Sequence, residues 1–182
     1  MKSDALEKLS VKDRLLFSAF QLFLQKGVDG TGIDEIVSIA SVSKGALYHH
    51  FGSKDGLYDA VLERYFLRGF SQFDAAVFSD LSFEAQKTAL IDGLNDMYME
   101  MAMRYDAEKS RYFALYFDSL SRSQTFRIAV QLYYSTLLAS LEAKAPAPKL
   151  AQQFLTQLEG EIYLATVFNR HPDFTPIDPR ED

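Results

Sequence analysis

Between Thr31 and Lys54 the chain collects side chains that donate hydrogen bonds while leaving room for close approach: Thr31, Ser43, Lys44, Tyr48, His49 and Lys54, with Gly45 and Ala46 among them. Ser43 stands where an N-cap would satisfy the free N–H groups of a helix start. Lys44, Gly45 and Ala46 follow, basic or small, so that Lys44 can donate to guanine and Ala46 can touch a thymine methyl. Thr31, Tyr48, His49 and Lys54 carry donors suited to phosphate, and Lys54 opens a further helix whose N-terminus already favours an anion. Phosphate bonds of this kind set register, while the few base contacts give sequence preference. The bland alternative is an ordinary helix pair with a polar surface.

Other chemistries find less support. Adjacent His49 and His50 point about 100° apart on a helix and have no third ligand near them in sequence, so no metal site is expected. No Gly-rich phosphate loop, nucleophile elbow or His–Glu metal helix is present, so no catalytic residue is assigned and the chain is not expected to be an enzyme. Asp92, Asp96 and Glu100 share one helix face, either as a solvated stripe or as acids poised for a cationic ligand. No cofactor is implied.

The elements that position these groups are helical throughout, because apolar residues recur at helical spacing and period-two alternation is missing. A first helix opens at Ser10, with Asp13 three residues on, and stops at Gly27 after a stripe of Leu15, Leu16, Ala19, Leu22 and Phe23. Val28 to Gly32 is a turn. Helices over about 33–40 and 44–50, joined by Ser41-Val42-Ser43, form a helix-turn-helix, with Ile36, Val37, Ala40 and Leu47 inward and Val42 plugging the turn. Ser53 caps a long helix expected to run to about Phe78. Further helices are expected over about 82–105, 109–120, 123–143 and 149–168, the last two split by Ala145-Pro146-Ala147-Pro148. The tail from His171, with three prolines, is expected to be loose.

Composition narrows the reading further. The 182 residues are 48% hydrophobic, enough for a core without staples, and the absence of Cys excludes disulfides, thiolate metal sites and Cys nucleophiles. No apolar leader or membrane span is visible, so a cytoplasmic protein with no membrane partner is expected. The net charge of −6 argues weakly against nucleic acid, yet residues 1–64 hold 8 basic and 9 acidic groups, a net of −1, while the remainder holds 11 and 16, a net of −5. Behind the head the chain is rich in aromatics. Phe66, Phe70, Tyr98, Met101, Tyr105, Phe113, Tyr116 and Phe117 are candidates for a ligand pocket between helices, although helical core alone explains most of them. The last two helices carry Ile128, Leu132, Leu137, Leu138 and Leu141, then Leu150, Phe154, Leu158, Ile162 and Leu164, a pair apolar enough for a four-helix interface in a homodimer.

The string Val42-Ser43-Lys44-Gly45-Ala46-Leu47-Tyr48-His49-His50-Phe51, followed by Ser53-Lys54-Asp55-Gly56-Leu57, resembles the tetracycline-repressor (TetR) family over roughly the first third of the chain. The resemblance implies an all-α chain with an N-terminal three-helix head, residues 1–53, and a C-terminal helical bundle for ligand binding and dimerisation, residues 54–182. It implies a transcriptional regulator, a repressor released from a palindromic double-stranded DNA operator by a small, apolar or aromatic effector. A TetR-like protein acting through a protein partner without an inducer, or an apolar-ligand carrier, are the alternatives. One departure is Ser41, where the family usually has Gly; a left-handed Ser there costs about 1 kcal/mol. Another is Gly32 after Thr31, in place of a small polar or β-branched residue.

Overall fold

The computed structural model describes residues 8–71, 74–104 and 109–174, and their side chains apart from those of 71, 100–104 and 109. Every regular element among the described residues is helical, as the apolar spacing requires. Helix α1 (Val11–Lys26) is capped by Ser10, whose Oγ accepts the Asp13 N–H at 3.1 Å and donates to the Asp13 carboxylate at 2.7 Å. Its apolar stripe is at most 5% exposed, and it ends at Gly27 with φ 74°, a value that favours glycine. Helices α2 (Ile33–Ile39) and α3 (Lys44–Phe51) follow as a short pair.

The long helix expected from Ser53 to Phe78 is interrupted. It starts as α4 (Lys54–Leu62), capped by Ser53, continues through a π-helical segment (Glu63–Leu67), and closes as Arg68–Ser71. Asp74 then caps a separate helix, α5 (Ala75–Asp80), accepting the N–H groups of Ala76 and Val77 at 3.0 and 3.1 Å. The reason is local: a short carboxylate offers the backbone bonds that compete with helix continuation and favour a fresh N-cap. Helices α6 (Phe83–Arg104), α7 (Lys109–Arg122), α8 (Gln124–Lys144) and α9 (Pro148–Val167) complete the described elements, close to the expected boundaries. Ser82 and Ser123 cap α6 and α8 through the N–H groups of Ala85 and Phe126, and Pro148 sits at the start of α9. The expected end of α6 at Tyr105 lies outside the described residues.

The chain clusters into two compact units, Met1–Phe73 with Arg104–Leu132, and Asp74–Met103 with Tyr133–Asp182. In the first, α1 packs against α2, α3, α4 and α7. Phe20 stacks on Tyr65 at 4.0 Å, and Phe66 meets Tyr112, Tyr116 and Phe126 ring against ring at 4.6 to 5.9 Å. Such aromatic contacts add to the burial of their area. Polar bonds fasten α7 to the same unit. Tyr58 Oη donates to Ser119 Oγ at 2.7 Å, Arg111 caps the Gln25 carbonyl of α1 at 2.7 Å, and Arg122 forks onto both carboxylate oxygens of Asp29.

The second unit buries Leu90, Tyr98, Leu137, Leu141, Leu158 and Ile162. Within it a directed hydroxyl chain runs between helices: Gln86 Nε2 donates to Ser140 Oγ at 3.0 Å, Ser140 Oγ lies 3.2 Å from Ser79 Oγ, and Ser79 donates to the Ala75 carbonyl. Glu159 accepts from Tyr134 Oη at 2.7 Å, and burial holds its carboxyl above the usual range. Burial also pushes the nearby Tyr133 hydroxyl up to about 12. Of the residues expected to drive self-association, Leu137, Leu141, Leu158 and Ile162 are core residues of this unit, whereas Leu150 and Leu164 are exposed, as are Ile128 and Leu132 of the first unit.

Candidate nucleic-acid interface

The interface is built on the turn between α2 and α3. Ile36, Val37 and Ala40 are buried under α1, and the Val42 N–H bonds the Val37 carbonyl at 3.0 Å, drawing the turn closed. Ser41 takes φ 52°, in the left-handed region that favours glycine. Ser43 is extended at φ −80°, ψ 156°, and its Oγ accepts the Ala46 N–H at 3.2 Å, so α3 is capped as expected. Leu47 is fully buried and pins α3 to the head. With that one anchor inward, the opposite face presents Ser43, Lys44, Gly45, Tyr48 and His49 to solvent, with Ala46 half-buried.

The end of α3 is equally constrained. Gly52, at φ 74°, returns its N–H to the Tyr48 carbonyl at 2.9 Å, and Ser53 caps α4 through the Gly56 N–H at 2.9 Å. A Cβ on Gly56 would lie 2.1 Å from the Phe51 carbonyl oxygen, so only glycine lets α4 start this close to α3. This is a requirement that spacing alone did not single out. The rings of His49 and His50 meet edge to face at 5.3 Å, both exposed. Among the described residues no group of three His, Asp or Glu gathers where it could hold a metal ion.

Three of the expected contacts are placed differently from the rest. Thr31 is only 2% exposed; its Oγ1 donates to the Gly27 carbonyl at 2.8 Å and its N–H to the Val28 carbonyl at 3.3 Å. Its hydroxyl closes the turn before α2 instead of facing outward. Lys54 reaches back to the same turn, donating to the Val28 carbonyl at 2.6 Å, with two of its three ammonium protons left for other acceptors. Lys44 is exposed but held: Asp34 in the first turn of α2 lies 2.5 Å from its Nζ, and that hydrogen bond raises the Lys44 pKa. Lys26 is paired in the same way with Glu35. Asp34 was absent from the residues singled out by sequence, where an acid ten positions before a lysine in two different helices gives no periodic signal.

Of the expected pocket residues, Phe66, Phe70, Phe113, Tyr116 and Phe117 belong to the first unit and Tyr98 to the second. The side chain of Met101 and the whole of Tyr105 lie outside the described residues. Phe66 is a core residue and Tyr116 packs on it, while Phe117 is 58% exposed. Tyr98 is buried with its ring 5.9 Å from that of His171. A cavity of about 520 Å³ in the second unit is lined instead by Ser79, Ser135, Thr136, Ala139, Ser140 and Ala143. Helix packing explains the difference: aromatics at helical spacing fill the core, and the open volume falls where side chains are small. Arg111 caps α1 as described above, where a guanidinium suits the carbonyl end of a helix. No helix of the described residues is long and apolar enough to cross a membrane.

Residues 15–61 match the family described as bacterial regulatory proteins, tetR family. The chain is 41% identical over 49 residues to the biofilm operon negative transcriptional regulator IcaR of Staphylococcus aureus, covering 27% of this chain and 26% of that protein. It is 46% identical over 54 residues to the transcriptional activator FasR of Mycolicibacterium smegmatis, 30% of this chain and 25% of that one. The match thus spans about a quarter of the length of these curated relatives. Over the whole fold, a transcriptional regulator of Aquifex aeolicus superposes with a TM-score of 0.62 at 22% identity, covering 91% of both chains. The multidrug binding protein EbrR, complexed with malachite green, superposes with 0.61 at 21% identity, covering 90% of this chain and 91% of that one. At these identities the superpositions establish the shared helical fold.

Proposed function

Residues 15–61 match the tetR family of bacterial regulatory proteins, and on that match we propose that the chain is a cytoplasmic transcriptional regulator of this family that binds double-stranded DNA as a homodimer. Its division of labour follows residues 1–53 for DNA and 54–182 for effector and dimer contacts. The observation that carries the reading is α3: one buried anchor, Leu47, and an exposed face of Ser43, Lys44, Gly45, Tyr48 and His49, with Lys44 followed by the small Gly45 and Ala46 at the helix start. Such a helix fits the major groove, with Lys44 and Ala46 on base edges and Tyr48, His49 and Lys54 on phosphate. Thr31 contributes by shaping the turn that leads into α2. Two heads then read half-sites one helical turn, or a multiple, apart.

The chain acts as a repressor that a small apolar or aromatic effector releases. Release requires that the effector prefer the state whose heads no longer match the operator, since equal affinity for both states shifts nothing. The ring-on-ring packing of Phe66, Tyr112 and Tyr116 favours a second reading, action through a protein partner with no effector. Thermal stabilisation of the protein by an apolar library compound decides for the first.

Fluorescence-anisotropy titration against duplexes from upstream of the protein's own gene, over a salt series, tests the DNA reading. Wild type is expected to prefer these duplexes over scrambled ones with a steep salt slope. Lys44→Ala should weaken binding and relax base preference, whereas Lys54→Ala should weaken it for every sequence and lower the slope by about one. Identical curves for wild type and both variants would remove the assignment.

A further inference from the structure

The ion pair between Lys44 and Asp34 has no evident structural task. Both side chains are largely exposed, 57% and 77%, and pairs of that kind add little to stability. Its effect on the DNA-facing surface is larger. From Thr31 to Lys54 the chain carries two lysines, Lys44 and Lys54, against two acids, Asp34 and Glu35, so this segment is electrically neutral. A head that holds DNA only through phosphate gains nothing from a carboxylate beside its leading lysine.

Resting on the DNA-binding reading above, we propose that Asp34 is a specificity-determining residue, forming with Lys44 a donor–acceptor pair that reads a G·C base pair. The geometry supplies the reason. Asp34 Oδ1 is 2.5 Å from Lys44 Nζ, so any acceptor that Lys44 binds at about 3 Å lies within about 5.5 Å of the carboxylate. A phosphate in that place sets two anions against each other across one lysine. A guanine edge supplies O6 and N7 for Lys44, and its paired cytosine supplies the N4 amino group that a carboxylate accepts. Asp34 therefore penalises non-specific use of Lys44 and favours the G·C edge, where two adjacent acceptors stand beside a donor. Neighbouring groups leave the pair accessible: Gly45 has no side chain and Ser43 Oγ is engaged in capping α3. Lys26 and Glu35 neutralise each other.

The test is selection from a randomised duplex library with the full-length wild type, Asp34→Ala and Asp34→Asn, followed by titration of the enriched and scrambled duplexes over a salt series. Wild type is expected to enrich a G·C pair at one position of each half-site. Asp34→Ala should lose about 5- to 150-fold of discrimination there, bind scrambled duplex more tightly, and steepen the salt slope by about one. Asp34→Asn should shift the preference at that position toward adenine, whose N6 and N7 suit an amide. An unchanged consensus and slope in both variants overturns the proposal. So does equal loss of enriched and scrambled binding with helix content intact by circular dichroism, which would make Asp34 a support for the head. If wild type enriches no sequence at all, the DNA-binding reading fails first and the pair falls with it.

Discussion

Ser41 turns the chain between α2 and α3 with a side chain in a region that suits glycine, at φ 52°. Its Cβ there costs about 1 kcal/mol. Ser41→Gly is therefore expected to raise the melting temperature by about 2–4 °C, read by circular dichroism, without moving Leu47 or the Ser43 cap. A lower melting temperature would mean that the serine makes a compensating contact. Gly56 is the reverse case, since a methyl group there meets the Phe51 carbonyl. At this scale the sequence was a good guide where chemistry is local: caps at Ser10, Ser43 and Ser53 each bond N–H groups two or three residues ahead. It was a poorer guide for Thr31, whose hydroxyl turns back to the Gly27 carbonyl, and for Lys44, whose partner Asp34 is set by how two helices meet.

Among elements, α7 is fastened to the head's unit through Arg111, Tyr112, Ser119 and Arg122. The Arg122 guanidinium bonds both oxygens of Asp29 and one of Asp118, a bidentate network of the kind that surpasses isolated surface pairs. The Arg122 bond holds the Asp29 carboxyl below its usual range. A group whose pKa is lower in the folded state stabilises above its unfolded value, near 3.8, and that contribution disappears as pH falls through the folded value. Arg122→Ala should therefore lower the urea midpoint at pH 7, and the gap from wild type should close as the pH is taken below the carboxylate range. A gap independent of pH would show that the arginine acts by packing alone. The arginine–acid spacing of 93 residues carries no pattern in the chain, whereas α7 itself was expected over about 109–120.

For the molecule as a whole, the charge of −6 sits mainly outside the head, so contact with DNA depends on the local face and association is expected to weaken steeply with salt. Tyr163, Leu164, Val167 and Phe168 expose apolar surface at the end of α9. Under the proposed homodimer this face is covered by a second copy. Leu164→Glu is then expected to yield a monomer in analytical ultracentrifugation, with helix content retained. Loss of dimer should weaken a two-half-site duplex by at least about tenfold and a single half-site little, because the linked second head adds effective concentration. A dimer that survives the charge would locate the interface elsewhere.

The sequence by itself determined most of the helices and caps and the order in which they come, the break before the Asp74 cap excepted, because apolar period and capping chemistry act within a few residues of one another. It also marked α3, through the Ser43 to Lys54 string, as the surface to watch. Only the tertiary structure decided which donors on that surface are free. Packing turned Thr31 inward, tied Lys54 to Val28, set Asp34 against Lys44, and divided the aromatics between two units. Apart from the local bond of Thr31 to Gly27, those outcomes depend on the distance between groups on different elements, which neither composition nor spacing encodes.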